Sequence, residues 1–279
     1  MREHQGADDV ERHPGLRAIY NGVPHSLRFH WLCATCTARC AGWSTCGETS
    51  SDALPTVVSG FIVAAATQPH GEHTKLLLSA ARDALAPLGL VRLGRSRLWV
   101  DDRGWWTVVV EFQPSGFAKG SFLNVGVMWL WYAKDYWSFD VGHRVEPFAE
   151  FESAEQFKPV AEHLAERAAR EVCEYRDAFS SMREVAKYLS GEASKSVWAG
   201  YHAAISAGVA GDVVGSTRFF AELADHPATH EWENEVQGRA AELSKHLPDV
   251  PAFRAAVTRV VDHSRELHKL PKVHDLRYA

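Results

Sequence analysis

The sequence predicts an α+β protein in which a small antiparallel sheet of about four strands is packed by helices and followed by an all-α extension of helical hairpins. Three observations carry this prediction. Four short runs rich in β-branched and aromatic residues lie close together between residues 96 and 146. Helical periodicity precedes and follows these runs. Four further helical segments, joined by short loops, complete the chain.

The first predicted helix begins near Thr74 and ends near Gly89. Leu77, Ala81 and Leu85 recur on one helical stripe, Thr74 can serve as an N-cap, and Gly89 is typical of a helix terminator. This stripe predicts a helix with one buried face.

Four strands are predicted to follow this helix. The segment "DDRG" predicts a tight hairpin between the first two strands. Both faces of the third strand are apolar, which places it at the centre of the sheet. The fourth strand alternates apolar and polar residues, as an edge strand exposed on one face does. The predicted strands are residues 96–100, 105–113, 121–132 and 139–146.

A long helical pattern over residues 153–189 comes next. Ser153 and Gln156 match a capping box at its start, and Pro159 indicates either a short break or a later beginning. The final helices are predicted at 197–212, 215–226, 230–247 and 251–270. We therefore expect an α+β domain over 72–190 and a helical region over 191–279 packed on it, with residues 1–71 as an irregular extension.

Composition places the chain among ordinary globular proteins. Its 279 residues are 46% hydrophobic and carry a formal net charge of −5, and no region has the basic excess that nucleic-acid binding needs. The longest apolar run, "VVSGFIVAAA" at 57–66, is too short to cross a bilayer. We expect no nucleic-acid or membrane partner, a cytoplasmic location and reduced cysteines.

Several ordered blocks suggest a family. "GLVRLGRSRLWV" (89–100), "VVVEFQPS" (108–115), "SFLNVGVMWLW" (121–131) and "SFDVGHRVEPFAEF" (138–151) resemble the bacterial domain-of-unknown-function family 4304, and "YHAAISAGVAGD" (201–212) resembles its trailing helices. The resemblance covers about residues 72–270. It implies the same fold and supplies no agreed catalytic residues.

Four of the five cysteines, Cys33, Cys36, Cys40 and Cys46, fall within one short stretch, with His25 and His30 just upstream. A C-x2-C turn is a favourable half-site for zinc. The third ligand of a zinc knuckle, normally a histidine, would fall at Ala41, so Cys40 misses that place by one position. Two interpretations stay open. The cysteines belong to a zinc-binding module, or residues 1–56 are a disordered extension or an upstream stretch translated from a wrongly chosen start codon.

Two groups of residues are candidates for a binding or catalytic site. By strand parity, Glu111 and Gln113 share one face of the sheet, with Asn124 on the next strand and His143 and Arg144 on the fourth. An enzyme, hydrolase-like in type, would use this polar face with His143 as the acid or base. The second group is an aromatic segment suited to a contact surface or to core packing; its members are Trp129, Trp131, Tyr132, Asp135 and Trp137.

The favoured prediction is a non-catalytic binding or adaptor protein that recognises a protein or peptide partner. The alternatives are the hydrolase-like enzyme and the zinc-binding amino-terminal module. No cofactor is predicted apart from zinc at the cysteines, and the sequence gives no oligomeric state.

Overall fold

The computed structural model describes residues 71–274, 276 and 278. It confirms the α+β fold with a helical extension. One antiparallel sheet has the strand order β1-β2-β3-β4-β5, so that each strand pairs with its neighbour in sequence. The strands are β1 (Val91–Arg92), β2 (Leu98–Asp102), β3 (Trp106–Gln113), β4 (Gly120–Trp129) and β5 (Val141–Glu150).

The described part of the chain also contains seven α-helices. They are α1 (Glu72–Leu85), α2 (Ala154–Ala178), α3 (Met182–Glu192), α4 (Val197–Ala210), α5 (Val213–Asp225), α6 (Glu231–Ser244) and α7 (Val250–Leu267). Short 3-10 helices follow α1 at Ala86–Leu88 and α3 at Ala193–Lys195. None of the described helices is long and apolar enough to span a bilayer.

The boundaries of α1 and the first strands differ from the prediction. Gly71 caps α1, and Thr74 is a buried residue inside the helix because its side chain faces the sheet domain. Gly89 does end the following 3-10 turn, with a left-handed φ of 86°. β1 was not predicted, since a two-residue strand is too short to have a detectable alternation.

The third and fourth predicted strands are shifted at their ends. β4 stops at Trp129, and Leu130–Tyr132 turn away beneath the helical extension. β5 begins at Val141 and runs on to Glu150, four residues beyond the predicted end. Register shifts near Leu123 accompany this longer pairing, and such bulges are invisible to a strict period of two.

The long helical pattern is two helices. α2 begins after Ser153, whose side chain accepts a hydrogen bond from the Gln156 N–H, and it continues through Pro159 without a break. The break lies instead at residues 179–181, where Ser181 caps α3 by accepting from the Glu184 N–H. The four predicted carboxyl-terminal helices are confirmed as α4 to α7 within three residues at each end.

The two faces of the sheet have different surroundings. α2 covers the face that carries Val108, Val125 and His143: Arg176 of α2 binds Asp101 at 2.8 Å, and Phe179 packs against Trp129 with ring centroids 5.2 Å apart. The opposite face carries Glu111 and its cross-strand neighbours. We call these the α2 face and the polar face.

Candidate functional site

The polar face brings four predicted residues together. Glu111 of β3 lies opposite Asn124 of β4, which in turn lies opposite Arg144 of β5. The Asn124 Nδ2 donates to Glu111 Oε2 at 3.0 Å and to Gln113 Oε1 at 3.2 Å, and Arg144 donates to the same Gln113 oxygen at 3.2 Å. We call Glu111, Gln113, Asn124 and Arg144 the polar patch. The prediction that the first three share one face is confirmed.

The polar patch is accessible at its rim and buried at its centre. Glu111 and Gln113 are half-buried and Arg144 is exposed, whereas Asn124 is 1% exposed. Burial raises the pKa of Glu111 above its usual range, and the Asn124 hydrogen bond and the Arg144 charge oppose this effect. Asn124 Oδ1 is buried and accepts no hydrogen bond from a described residue. The patch therefore holds one unsatisfied acceptor at its centre.

Two phenylalanines extend the polar patch. The Arg144 guanidinium lies 3.9 Å from the centre of the Phe122 ring, and the Phe122 and Phe148 rings are 5.0 Å apart. Both rings are half-buried. This pair was not predicted, although Phe122 precedes Asn124 by two residues and so shares its side of the strand.

The prediction that His143 joins the polar patch is wrong. Its cross-strand partner is Val125, which puts the imidazole on the α2 face, and the bulge near Leu123 leaves this alternation intact. There its Nε2 lies 4.0 Å from Glu171 Oε2 of α2. Burial, aided by the charge of Arg167, lowers the pKa of His143. The acid–base pair of the enzyme interpretation is therefore split between two faces of the sheet.

The aromatic segment is largely core. Trp129 and Trp131 are fully buried and Tyr132 is 5% exposed, so for these three the core-packing interpretation is confirmed and the contact-surface interpretation is wrong. The chain turns inward after β4: the Trp129 and Trp131 rings stack at 4.9 Å, and Tyr132 packs edge-on against Trp198 of α4 at 4.5 Å. Of the remaining predicted members, Asp135 is exposed and Trp137 is half-buried.

A buried polar cluster, which sequence reasoning missed, is formed by residues of the loop between β4 and β5. Lys134 Nζ and Asp140 Oδ1 form an ion pair at 2.7 Å, with both side chains less than a tenth exposed. The second Asp140 oxygen accepts the Trp129 backbone N–H at 2.7 Å. Burial disfavours the Asp140 carboxylate, but Lys134, His202 and these hydrogen bonds outweigh it and lower the pKa of Asp140.

Helix α4 forms hydrogen bonds with the same loop. The Trp131 indole N–H donates to His202 Nδ1 at 2.9 Å, and the Tyr201 hydroxyl donates to the Trp131 carbonyl at 3.0 Å. From α6, Arg239 donates to the Ala133 carbonyl at 2.7 Å. The only signal in the sequence was a lone histidine in the apolar run of α4. These bonds fix the loop against the helical extension, so the cluster is explained by folding and leaves no exposed reacting group.

The cysteine cluster of the zinc interpretation, Cys33, Cys36, Cys40 and Cys46, lies outside the described residues. In comparisons with protein-family models, curated proteins and solved structures, nothing matched this chain. The resemblance to the domain-of-unknown-function family 4304 therefore stays a prediction. The candidate site is defined by the geometry of the polar patch alone.

Proposed function

We propose that this chain is a non-catalytic cytoplasmic binding or adaptor protein that recognises a segment of a protein or peptide partner on the polar patch. One observation carries the proposal: side chains from three strands already hydrogen-bond to one another across the sheet, while three of the four keep accessible surface. Side chains that are ordered before binding lose less conformational entropy when a ligand arrives. The patch is thus suited to recognition without rearrangement.

A peptide segment matches the chemistry of the patch. Each peptide unit presents one N–H donor and one C=O acceptor. Gln113 carries both a donor and an acceptor, Glu111 accepts when it is ionised, and Arg144 donates only. Phe122 and Phe148 supply an apolar surface for one side chain of the partner. A polar stretch with a single apolar or aromatic anchor is the partner that these groups favour.

The same geometry argues against catalysis at the patch. Acid–base catalysis needs titratable groups within hydrogen-bond reach of a common substrate. The patch has one carboxylate, and the histidine predicted to assist it lies on the α2 face. Binding needs no second titratable group.

Selection of displayed linear peptides on the purified full-length protein tests the proposal. Recovered peptides should bind a Gln113→Ala, Arg144→Ala variant at least about tenfold more weakly, a loss of about 1.4 kcal/mol. Arg218→Ala removes a positive charge from another exposed arginine, on α5, and serves as the control. Peptides that bind the patch variant as tightly as the wild type would contradict the proposal.

A further inference from the structure

A groove of about 600 Å³ runs along the outer seam between α1 and α2, away from the polar patch. The apolar residues of its lining are half-buried or buried and form what we call the floor; they are Leu76, Ala80 and Ala84 from α1 and Ala165 from α2. The α1 positions are spaced by four, so they form one stripe along that helix. Small side chains along a stripe allow another backbone to approach closely.

Carboxylates dominate the rim of this groove. Asp83 comes from α1, Glu162 and Glu166 come from α2, and Lys158 is the one cation of the lining. All four side chains belong to exposed residues. The groove therefore carries a net negative charge beside an apolar floor.

The rim carboxylates have no ion-pair partner within 4.0 Å among the described residues. Glu162 and Glu166 are also one turn apart on α2, and like charges at that spacing repel each other. Lys158 stands four residues before Glu162 but does not come within 4.0 Å of its carboxylate, whereas Arg167 and Glu171, at the same spacing on α2, pair at 2.9 Å. A cation between the two glutamates would relieve their repulsion.

The length of the groove matches a helix. The lining of α1 runs from Leu76 to Ala84, and that of α2 runs from Lys158 to Glu166. Eight residue steps of α-helix rise about 12 Å, so each wall is a little over two turns long. A third helix of about three turns could lie along the seam with its small residues on the floor and its flanking side chains at the rim.

We propose that this groove is a second docking surface, which takes an amphipathic helix with a small apolar stripe and basic flanks from a protein partner. The unpaired carboxylates favour lysine and arginine on the flanks of the partner helix. The alanines of the floor favour small side chains on the stripe of that helix that faces the groove. This surface is separate from the polar patch. Failure of one proposal leaves the other standing, because the two are tested with different variants.

A display library of 16-residue amphipathic helices, with Lys, Arg, Glu and Asp mixed at random on the polar face, tests the groove. The full-length wild type should select basic flanks. A Glu162→Lys, Glu166→Lys variant should select acidic flanks and bind the wild-type winners at least about tenfold more weakly. The matched control is Glu174→Lys, Asp177→Lys, which makes the same charge change at exposed positions further along α2 and should select as the wild type does.

An Ala80→Trp variant separates groove binding from attraction to charge alone. The indole would occupy the floor without altering the rim carboxylates, so the selected basic helices should lose at least about tenfold in affinity. Thermal unfolding of each variant confirms that it is folded. Equal selection by the wild type and the Glu162, Glu166 variant, or unchanged binding to Ala80→Trp, would overturn the proposal.

Discussion

Protonation of His202 at acid pH should lower the free energy of unfolding of this protein. This side chain is 3% exposed, and its Nδ1 accepts the Trp131 indole N–H at 2.9 Å. A neutral ring with its proton on Nε2 is the form that can accept there. Protonation of Nδ1 would set two donors against each other in the core. Burial, aided by the charge of Lys134 and opposed by Asp140, lowers the pKa of His202 to about 4.

The sign and size of the effect follow from this shift. The ordinary pKa is 6.5, so between about pH 6.5 and 4 the unfolded chain binds a proton that the folded chain does not. The free energy of unfolding therefore falls as the pH falls through this range and levels off below about 4. A shift of one pKa unit corresponds to about 1.4 kcal/mol, which gives a loss of about 2–3 kcal/mol from His202 between pH 7.5 and 4.5.

Urea denaturation at pH 7.5 and 4.5, followed by tryptophan fluorescence, measures this loss. His202→Asn keeps an acceptor for the Trp131 indole and removes the titrating group. The wild type should lose about 2–3 kcal/mol more than the variant over this interval, and the subtraction removes the contributions of the other histidines. An equal loss in the two proteins would refute the reasoning.

Two further predictions concern stability. Asp140→Asn leaves the buried Lys134 ammonium without a carboxylate and should cost about 3–5 kcal/mol in urea denaturation at pH 7, whereas the exposed Asp135→Asn should change stability by less than about 0.5 kcal/mol. A cost below about 1 kcal/mol for Asp140→Asn would contradict the account of the ion pair. A Cβ at Gly126 would lie 2.5 Å from the Val141 carbonyl oxygen, so Gly126→Ala should lower the free energy of unfolding by about 1–3 kcal/mol. Gly238 of α6 has open space where a Cβ would lie, so Gly238→Ala should raise the free energy of unfolding by about 0.5–1 kcal/mol in the same assay. Equal effects at the two glycines would show that the close strand approach is not limiting.

Much of the fold could be predicted from the sequence because local patterns decide it. Alternation and periodicity indicated β2 to β5 and every helix of the extension. The features that these patterns did not predict depend on single capping residues or on the pairing between strands. Ser181 interrupts a stripe that stays in phase across residues 179–181, and the pairing of β5 beyond the predicted end at residue 146 passes through a bulge near Leu123.

The candidate site could be predicted only as far as strand parity reaches. Parity put Glu111 and Gln113 on one face of β3, and the pairing of Glu111 with Asn124 on β4 brings the third residue to the same face. Parity within a strand does not say which face of the next strand is aligned with it, and His143 was assigned to the wrong one. The choice between core packing and a contact surface for Trp131 and Tyr132 could not be made from the sequence, because α4 and α6, which cover them, are distant in sequence.

The central claim is that the polar patch binds a peptide segment of a partner. The most direct measurement is calorimetric titration of one selected peptide into the wild type, Arg144→Ala and Arg218→Ala. The account predicts a Kd at least about tenfold higher for Arg144→Ala and an unchanged Kd for Arg218→Ala. Equal Kd values for all three proteins would contradict it.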